Sequence, residues 1–538
     1  MRGDEKASSA AIPRIMIAAP HGRSGKTVIT LGLLRALRRR GLLVQPFKKG
    51  PDYIDPGWHA AAVGGVSRNL DLFFMSPAQI REVVFECACG SDVGVIEAAM
   101  GLFDGLDVEG SGSSAKIACE TATPVVLVVD VTRMTRTAAA LVLGCQTFDP
   151  AVTIAGVILN KVRGKRQRDL VTEAIERYCG IPVVGAVPKD ALMTVPDRHL
   201  GLVTSAESAE RDRVLDGIAE VIEASVDLDA VLAIARAAEP LAGEGFGGGA
   251  GAVGERGRPG AASAPDCARE MHAPAAPGQP CATSAVPPEQ PCATIAVMRD
   301  QGTHAAATPE QLCATTAVPP EQSRTTIAVM RDQVFSFYYP ENLAALERAG
   351  AQLRFVQSLG DEALPEEVDG LYIGGGFPEE FAAELEANEA LRRSIRSRAE
   401  AGLPIFAECG GLMYLGRTLR CGDAVFEMVG ALGLDTVMHD RQTAHGYAQG
   451  VIEEPCAWLS PGTVLVGHEH HHSQAVNLDP DLCLSCNLGR GNGIAEGRDG
   501  ACAHTVVAGY LHVNALASPG WAPSFVAAAQ AYRERKRR

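Results

Sequence analysis

No apolar run in this chain reaches the roughly 18 residues that a membrane-spanning helix needs. The first residues, Met1-Arg-Gly-Asp-Glu-Lys6, lack the apolar region of a signal peptide. These two absences predict a cytoplasmic protein with no membrane partner and with reduced thiols. Positive charge is also short: 49 Lys and Arg stand against 64 Asp and Glu, a net charge of -15. That balance argues against a nucleic-acid backbone as partner. The basic clusters Arg38-Arg39-Arg40 and Arg533-Glu-Arg-Lys-Arg-Arg538 are short and read as solvated helix ends. The 15 cysteines have no regular spacing. Cys87-Ala-Cys89 and Cys483-Leu-Ser-Cys486 are the tight pairs, and the second lacks a companion at zinc-ribbon distance, so it reads as structural. What is present is ordinary for a globular protein, 46% hydrophobic and 21% charged. A chain of 538 residues is too long for one core and predicts two to four domains.

Arg14-Ile-Met-Ile-Ala-Ala19 reads as a short buried strand. Pro20-His-Gly-Arg-Ser-Gly-Lys-Thr27 follows, and a helical pattern then runs to Arg40. This is a phosphate loop. Backbone N–H groups at a helix N-terminus cradle phosphate oxygens, Lys26 neutralises the terminal phosphates, and Thr27 can ligate Mg²⁺. Gly22, Ser24, Gly25, Lys26 and Thr27 are the expected nucleotide contacts. The usual pattern opens with a glycine where Pro20 stands, and Gly22 is expected to supply the backbone freedom instead.

A second strand, Val44 to Lys48, leads into Lys49-Gly-Pro-Asp-Tyr-Ile-Asp-Pro56, which carries Asp52 and Asp55 on a Pro/Gly-bounded loop. A third, Val93-Gly-Val-Ile-Glu97, ends in an acid. Ligands of doubly wound sheets gather at the carboxyl ends of strands. Acids beside a phosphate loop suit Mg²⁺, which takes a few carboxylates plus phosphate oxygens. Thr27, Asp52, Asp55 and Glu97 are therefore the expected metal or substrate contacts, although loop aspartates are also ordinary turn formers. Strands at Pro124–Asp130, Val152–Asn160 and Pro182–Val187 continue the alternation with helices, so a parallel α/β sheet is expected to close near Ala237.

From Glu239 to about Ser323 the composition collapses into Ala, Gly, Pro, Ser, Thr and Gln, too poor in apolar residues to offset ordering entropy. Cys281-Ala-Thr-Ser-Ala-Val-Pro-Pro-Glu-Gln290 recurs as Cys313-Ala-Thr-Thr-Ala-Val-Pro-Pro-Glu-Gln322. Both copies run on into Thr-Ile-Ala-Val-Met-Arg-Asp-Gln, at Thr294–Gln301 and Thr326–Gln333. The second copy is expected to be the working strand and the first a duplicate on a flexible tether; two repeats are too few to stack as a solenoid.

Thr326–Met330 and Leu353–Val356 read as strands, Gly370-Leu-Tyr-Ile-Gly-Gly-Gly-Phe-Pro-Glu379 as a strand ending in three glycines, and Asn342–Gly350 as a helix. The turn after Ile373 holds three glycines, Gly374, Gly375 and Gly376, and can aim N–H groups at an oxyanion. Leu403-Pro-Ile-Phe-Ala407 runs into Glu408-Cys409-Gly410-Gly411 and then an apolar stretch that can open a helix. Small residues around a strand–turn–helix junction are the geometry of a nucleophile elbow at Cys409. A buried cysteine beside a glycine turn is the plainer reading of that stretch alone. Thr505-Val-Val-Ala-Gly-Tyr-Leu-His512 reads as a strand ending in histidine. Cys409 with His512 as its base is the layout of a thiol nucleophile, with Gly375, Gly376 and Gly410 as oxyanion donors. The expectation is an α/β protein of two doubly wound domains with mainly parallel sheets, 1–238 and 324–538, joined by a low-complexity linker, 239–323.

In its first half the set Gly25-Lys26-Thr27, Phe47-Lys48, Gly50-Pro-Asp-Tyr-Ile-Asp-Pro56, Asn69-Leu-Asp71 and Met100-Gly-Leu-Phe-Asp-Gly105 resembles the cobyrinic acid a,c-diamide synthases. These are ATP-dependent amidases of the corrin pathway, related through this domain to dethiobiotin synthetase. The second half resembles class I glutamine amidotransferases, in the branch of the cobyrinic and cobyric acid amidases. The commoner elbow has Gln where Met413 stands, and the commoner triad has Glu where Asn514 stands; the corrin branch shares both departures, so the group that orients His512 is unnamed. The third departure is Gly467-His-Glu-His-His-His-Ser473, where the family carries aromatic residues around a central His. The run His470-His471-His472 reads as a solvated turn or a metal site. The resemblance adds Lys48 to the nucleotide contacts. It implies that ATP with Mg²⁺ phosphorylates a carboxylate, that ammonia freed from glutamine at Cys409 displaces the phosphate, and that two rounds act on the a and c acetates of cobyrinate or hydrogenobyrinate. The implied partners are a corrinoid or related tetrapyrrole, glutamine and ATP, with a homodimer left open. A nickel-sirohydrochlorin diamidase of the same build, and a ParA-like nucleotide switch with a degenerate amidotransferase domain, are the other readings.

Overall fold

The computed structural model describes residues 12–195, 197–198, 201–202, 211–241, 325–454 and 456–538. The duplicated segment at 281–322 lies outside the described residues, as does nearly all of the expected linker. In the first half, β1 (Arg14–Ala18), β2 (Val44–Lys49), β3 (Arg68–Leu70), β4 (Val93–Glu97), β5 (Val125–Asp130), β6 (Ile154–Val162) and β7 (Val183–Pro188) form one sheet, ordered β3-β2-β4-β1-β5-β6-β7. Every pairing in it is parallel. Both β1 and β4 are buried along their whole length. Alternate residues enter opposite cores: Met16, Ala18, Leu127 and Val129 on one face, Ile15, Ile17, Val126 and Val128 on the other. A period of two with apolar residues in both phases is what a parallel strand covered on both faces requires. The edge strand β3 escapes the sequence reading because three residues carry too little periodicity.

This order places a topological switch at β1, between β4 and β5, and the phosphate loop leaves the carboxyl end of β1 at that point. Register does the rest. Lys48 of β2 stands beside Glu97 of β4, and Glu97 stands beside Ile17 of β1. Three strand ends and the loop therefore converge without any long side-chain reach.

In the second half, β8 (Thr325–Met330), β9 (Ala351–Val356), β10 (Gly370–Ile373), β11 (Ile405–Glu408), β12 (Ala444–Ile452), β13 (Val464–His471), β14 (Cys483–Arg490), β15 (Arg498–Ala503), β16 (Val506–Gly509) and β17 (His512–Val513) form a ten-stranded sheet. Its order is β9-β8-β10-β11-β16-β15-β14-β12-β13-β17. The β9-to-β16 end is parallel. The remainder is antiparallel, so this sheet is mixed.

One expected strand is corrected. The run Thr505–His512 is not continuous: β16 stops at Gly509 and β17 begins at His512, paired with β13. The cause is Asp499, whose carboxylate accepts hydrogen bonds from Tyr510 N and Leu511 N, both at 3.0 Å. Those donors leave the ladder and the chain bends. A flat sheet would separate β16 and β17 by five strand spacings, roughly 24 Å, yet two residues reach at most about 10 Å. The antiparallel part must therefore curl back, and it carries His512 toward the end of β11.

A second correction concerns the thiols. Cys456 and Cys502 form a disulfide, so the expectation of reduced thiols fails there; the other nine cysteines of the described residues are free. Their separation of 46 residues gave no sequence signal.

All described residues fall in one compact unit, and aromatic side chains join its halves. Tyr53 stacks on Phe337 with ring centroids 5.2 Å apart, and Phe73 stacks on Tyr447 at 4.3 Å. Arg68 pairs with the buried Glu341 at 3.2 Å, and the Tyr447 hydroxyl donates to Asp71 at 2.7 Å. Asp71 is 1% exposed, and burial pushes its carboxyl upward against the opposing Tyr447 hydrogen bond. A Tyr447→Phe variant leaves that buried oxygen without its partner. The expected loss is about 1–3 kcal/mol, read as an earlier urea transition; an unchanged transition would mean that Asp71 does not depend on the contact.

Candidate active site

The phosphate loop needs left-handed backbone, and it takes it at Arg23 (φ 58°) and Gly25 (φ 89°) rather than at Gly22, where the sequence reading placed it. Gly25 is required twice over. Its φ disfavours other residues, and a methyl group there would run into the Asn160 side chain, whose Nδ2 donates to Ser24 O at 2.9 Å. Lys26 begins the Lys26–Arg39 helix, and its ammonium donates to Met100 O at 2.6 Å. The Met100–Gly105 loop thus lies over the lysine.

Behind the loop sits a buried charge cluster. Lys48 Nζ contacts Asp55, donates to Glu97 at 2.9 Å and lies 3.9 Å from Asp52. Glu97, fully buried, also accepts from Thr27 Oγ1 at 2.7 Å and pairs with His59 Nε2 at 2.6 Å. Burial pushes the Glu97 carboxyl up, but Lys48 and His59 outweigh it and hold the group below the usual carboxylate range. Asp55 moves upward, through burial and its neighbour Asp52. Lys48 is held protonated, the acids overcoming the cost of its burial. Lys26 also faces Glu97 and Asp55, so two lysines and His59 share the three acids. Hard oxygen donors beside a phosphate loop fit Mg²⁺. Asp52 also shapes the turn, since its Oδ1 accepts from Ile54 N and Asp55 N. Sequence reasoning missed His59; one histidine on a helix gives no pattern to read.

The thiol site is built from strained and closely packed backbone. Cys409 follows β11 with φ 48° and ψ −100° and caps the Gly410–Leu415 helix. Such backbone is uncommon outside glycine and costs of order 1–3 kcal/mol. A methyl on Gly410 would lie 3.1 Å from Gly376 N, and one on Gly411 would lie 2.6 Å from Ile373 O. A methyl on Gly375 would run into the His512 ring. Gly375, Gly376, Gly410, Cys409 and His512 are thus brought to one place. The thiol and the imidazole are not hydrogen-bonded: Cys409 Sγ lies 3.9 Å from His470 O. Burial, then Glu379, raises the Cys409 thiol.

His512 is 1% exposed and burial pushes its pKa down to about 3, so the ring is neutral. It stacks on His468 at 4.9 Å and lies 5.3 Å from Tyr53. Among the described residues its buried Nδ1 has no hydrogen-bond partner. The run His470-His471-His472 is not a solvated turn: β13 extends through His471, which is buried, and the residues of the Gly467–Ser473 stretch have separate contacts. His468 pairs with the Tyr339 hydroxyl at 3.0 Å, and Glu469 accepts from Asn492 N and Gly493 N, both at 2.8 Å. His471 stacks on Tyr510 at 3.7 Å. Among the described residues no group of three or more His, Cys, Asp or Glu side chains is arranged to hold a metal ion, neither in this stretch nor around Glu97, so a cation at Glu97 would need phosphate oxygens to fill its shell.

Neutral burial of these histidines has a cost in acid. Unfolded histidine takes up a proton near pH 6.5. His471 holds out to about pH 4 and His512 to about pH 3, so protons bind the unfolded chain first. Stability should therefore be full above pH 6.5 and fall as pH drops, by about 1.4 kcal/mol per pH unit for each such group. Unfolding temperatures that stay level from pH 7 to about 4.5 would contradict neutral burial.

Comparison with known proteins gives two family matches in the order of the two sheets. Residues 15–203 match the CobQ/CobB/MinD/ParA nucleotide binding domain, and residues 326–520 match the CobB/CobQ-like glutamine amidotransferase domain. The chain is 40% identical to the cobyrinate a,c-diamide synthase of Archaeoglobus fulgidus, over 96% of this chain and 97% of that one. It is 37% identical to the enzyme of that name from Magnetococcus marinus, over 95% and 96%. It is 34% identical to that from Salmonella typhimurium, over 96% and 98%. With such identity along almost the whole of both chains, this protein belongs to the cobyrinate a,c-diamide synthase family.

Proposed function

We propose that this chain amidates the a and c acetate carboxylates of cobyrinate or hydrogenobyrinate, using ATP and glutamine. The observation that carries this reading is a strained Cys409 beside a neutral, orphaned His512 in the same compact unit as a phosphate loop. A domain that only bound a ligand would have no use for the strain at Cys409.

At the thiol site, neutral His512 takes the Cys409 proton and the thiolate attacks the amide carbonyl of glutamine. N–H groups of Gly375, Gly376 and Gly410 face the developing oxyanion. Collapse expels ammonia, with the proton supplied by His512, and leaves a thioester that water hydrolyses to glutamate. The contact between thiol and imidazole tightens when glutamine binds, as resting sites often require.

At the phosphate site, Gly22, Ser24, Gly25, Lys26, Thr27 and Lys48 hold ATP. A substrate carboxylate attacks the terminal phosphorus and ADP leaves, giving an acyl phosphate. Ammonia then displaces phosphate and forms the amide. Thr27 and Glu97 would hold Mg²⁺, with Asp52 and Asp55 nearby, and the ion would offset phosphate charge. A domain division at 1–238 and 324–538 follows from this separation of the two chemistries. Dependence on ATP and glutamine supports a cytoplasmic setting. The net charge of -15 supports neither nucleic acid nor an anionic membrane surface as partner, no helix among the described residues is long and apolar enough to span a bilayer, and a homodimer is the assembly to test.

The test compares variants on hydrogenobyrinate. Cys409→Ala should lose diamide formation from glutamine and keep it from free ammonia. Lys26→Ala should lose both by about 10²–10³-fold. If wild type hydrolyses ATP yet never consumes glutamine, the amidotransferase reading fails. If it consumes glutamine but amidates only nickel-sirohydrochlorin, the macrocycle is wrong.

A further inference from the structure

We propose that Glu408 is a positioning residue for the thiol site, fixing the main chain that carries His512. The inference rests on the reading of Cys409 and His512 as nucleophile and base.

The problem it solves is visible in the chain. The position two residues after His512, where an acid could grip the ring, is Asn514. Its Oδ1 accepts from Leu516 N at 3.0 Å and Ala517 N at 3.4 Å, so that side chain shapes its own turn. β17 is two residues long and pairs with one neighbour at the end of the sheet. A strand so short is held weakly by its ladder, and something else must fix it.

Glu408 does so. It ends β11, is fully buried, and is bonded through the peptide chain to Cys409. Its Oε1 accepts from Val513 N at 2.8 Å and its Oε2 from the Tyr372 hydroxyl at 2.8 Å. Asn342 grips the other side. Its Nδ2 donates to Val513 O at 2.7 Å and to Tyr372 Oη at 3.3 Å, and its Oδ1 accepts from Ala515 N at 2.8 Å. Both main-chain polar groups of Val513 are thereby captured by side chains of other elements. The peptide that Glu408 holds is the one joining His512 to Val513. One side chain thus sets the spacing between the nucleophile's residue and the base's residue.

A carboxyl is an expensive way to fill a buried strand end. Burial pushes this one up to about 8, against the hydrogen bonds from Tyr372 and Val513. Its charge cannot explain its presence, since negative charge at Glu408 raises the neighbouring thiol and so opposes thiolate formation. Position remains as the reason.

The experiment measures glutamine hydrolysis and ammonia-dependent amidation side by side in full-length Glu408→Gln, Glu408→Leu, Tyr372→Phe and Cys409→Ala. An amide oxygen can still accept from Val513 N while its NH₂ faces Tyr372 Oη. Glu408→Gln should therefore retain glutaminase kcat within about threefold, whereas Glu408→Leu should lose about 10²-fold, the usual effect of a misplacement near 1 Å. Tyr372→Phe should fall between them, and it serves if the leucine variant does not fold. Ammonia-dependent amidation should stay at the wild-type level in all of them. Glutaminase equal to wild type in Glu408→Leu, or equally lost in Glu408→Gln and Glu408→Leu, overturns the proposal. Parallel loss of both activities in the folded variants also overturns it, as a merely structural effect. A wild-type chain that never consumes glutamine overturns instead the underlying reading of Cys409.

Discussion

The turn from Asp52 to Asp55 is held from both sides, and both candidate sites depend on it. Asn69 Nδ2 ties it to β3 by donating to Gly50 O and Asp52 O, both at 2.8 Å. Asp55 contacts Lys48 in the phosphate site. Between the two acids, the Tyr53 ring lies against Phe337, Tyr339, His468 and His512. Four consecutive residues therefore contact the charged cluster on one side and the thiol site on the other. A shift of the turn cannot leave either site unchanged, because its ends are hydrogen-bonded and its centre is packed among rings.

The two sites handle burial in opposite ways. Around Glu97 the chain buries ionisable groups against one another, with Lys48 and His59 on the Glu97 carboxyl, beside a loop built to receive phosphate. Around Cys409 it buries neutral groups: a thiol raised by burial and histidines pushed low. The first arrangement suits the binding of a highly charged nucleotide. The second suits a proton transfer between thiol and imidazole that starts with no charge on either.

Much of this was legible in the sequence. Parallel strands declare themselves by apolar runs between helices; the strand ends then point to Glu97 and Cys409, the phosphate-loop pattern to Lys26, and only the family resemblance to Lys48. The phosphate loop and the elbow were readable because backbone geometry demands glycine at fixed offsets, although Arg23 rather than Gly22 takes the left-handed position. What escaped has a common cause. His59, Asp499 and the clamp of Glu408 on Val513 act through contacts 38, 11 and 105 residues away, and no local period encodes a single long-range hydrogen bond. The break between Gly509 and His512 was missed for the same reason: its cause lies in Asp499, on another strand.

The proposed reaction joins two sites in one compact unit, so ammonia released at Cys409 should reach the acyl phosphate without entering solvent. The most direct test supplies glutamine carrying ¹⁵N in its amide, together with an excess of unlabelled ammonium, ATP, Mg²⁺ and hydrogenobyrinate, and then weighs the diamide by mass spectrometry. The account predicts that both new amides carry ¹⁵N in spite of the unlabelled pool. Product whose label is diluted to the composition of the bulk ammonium would contradict it.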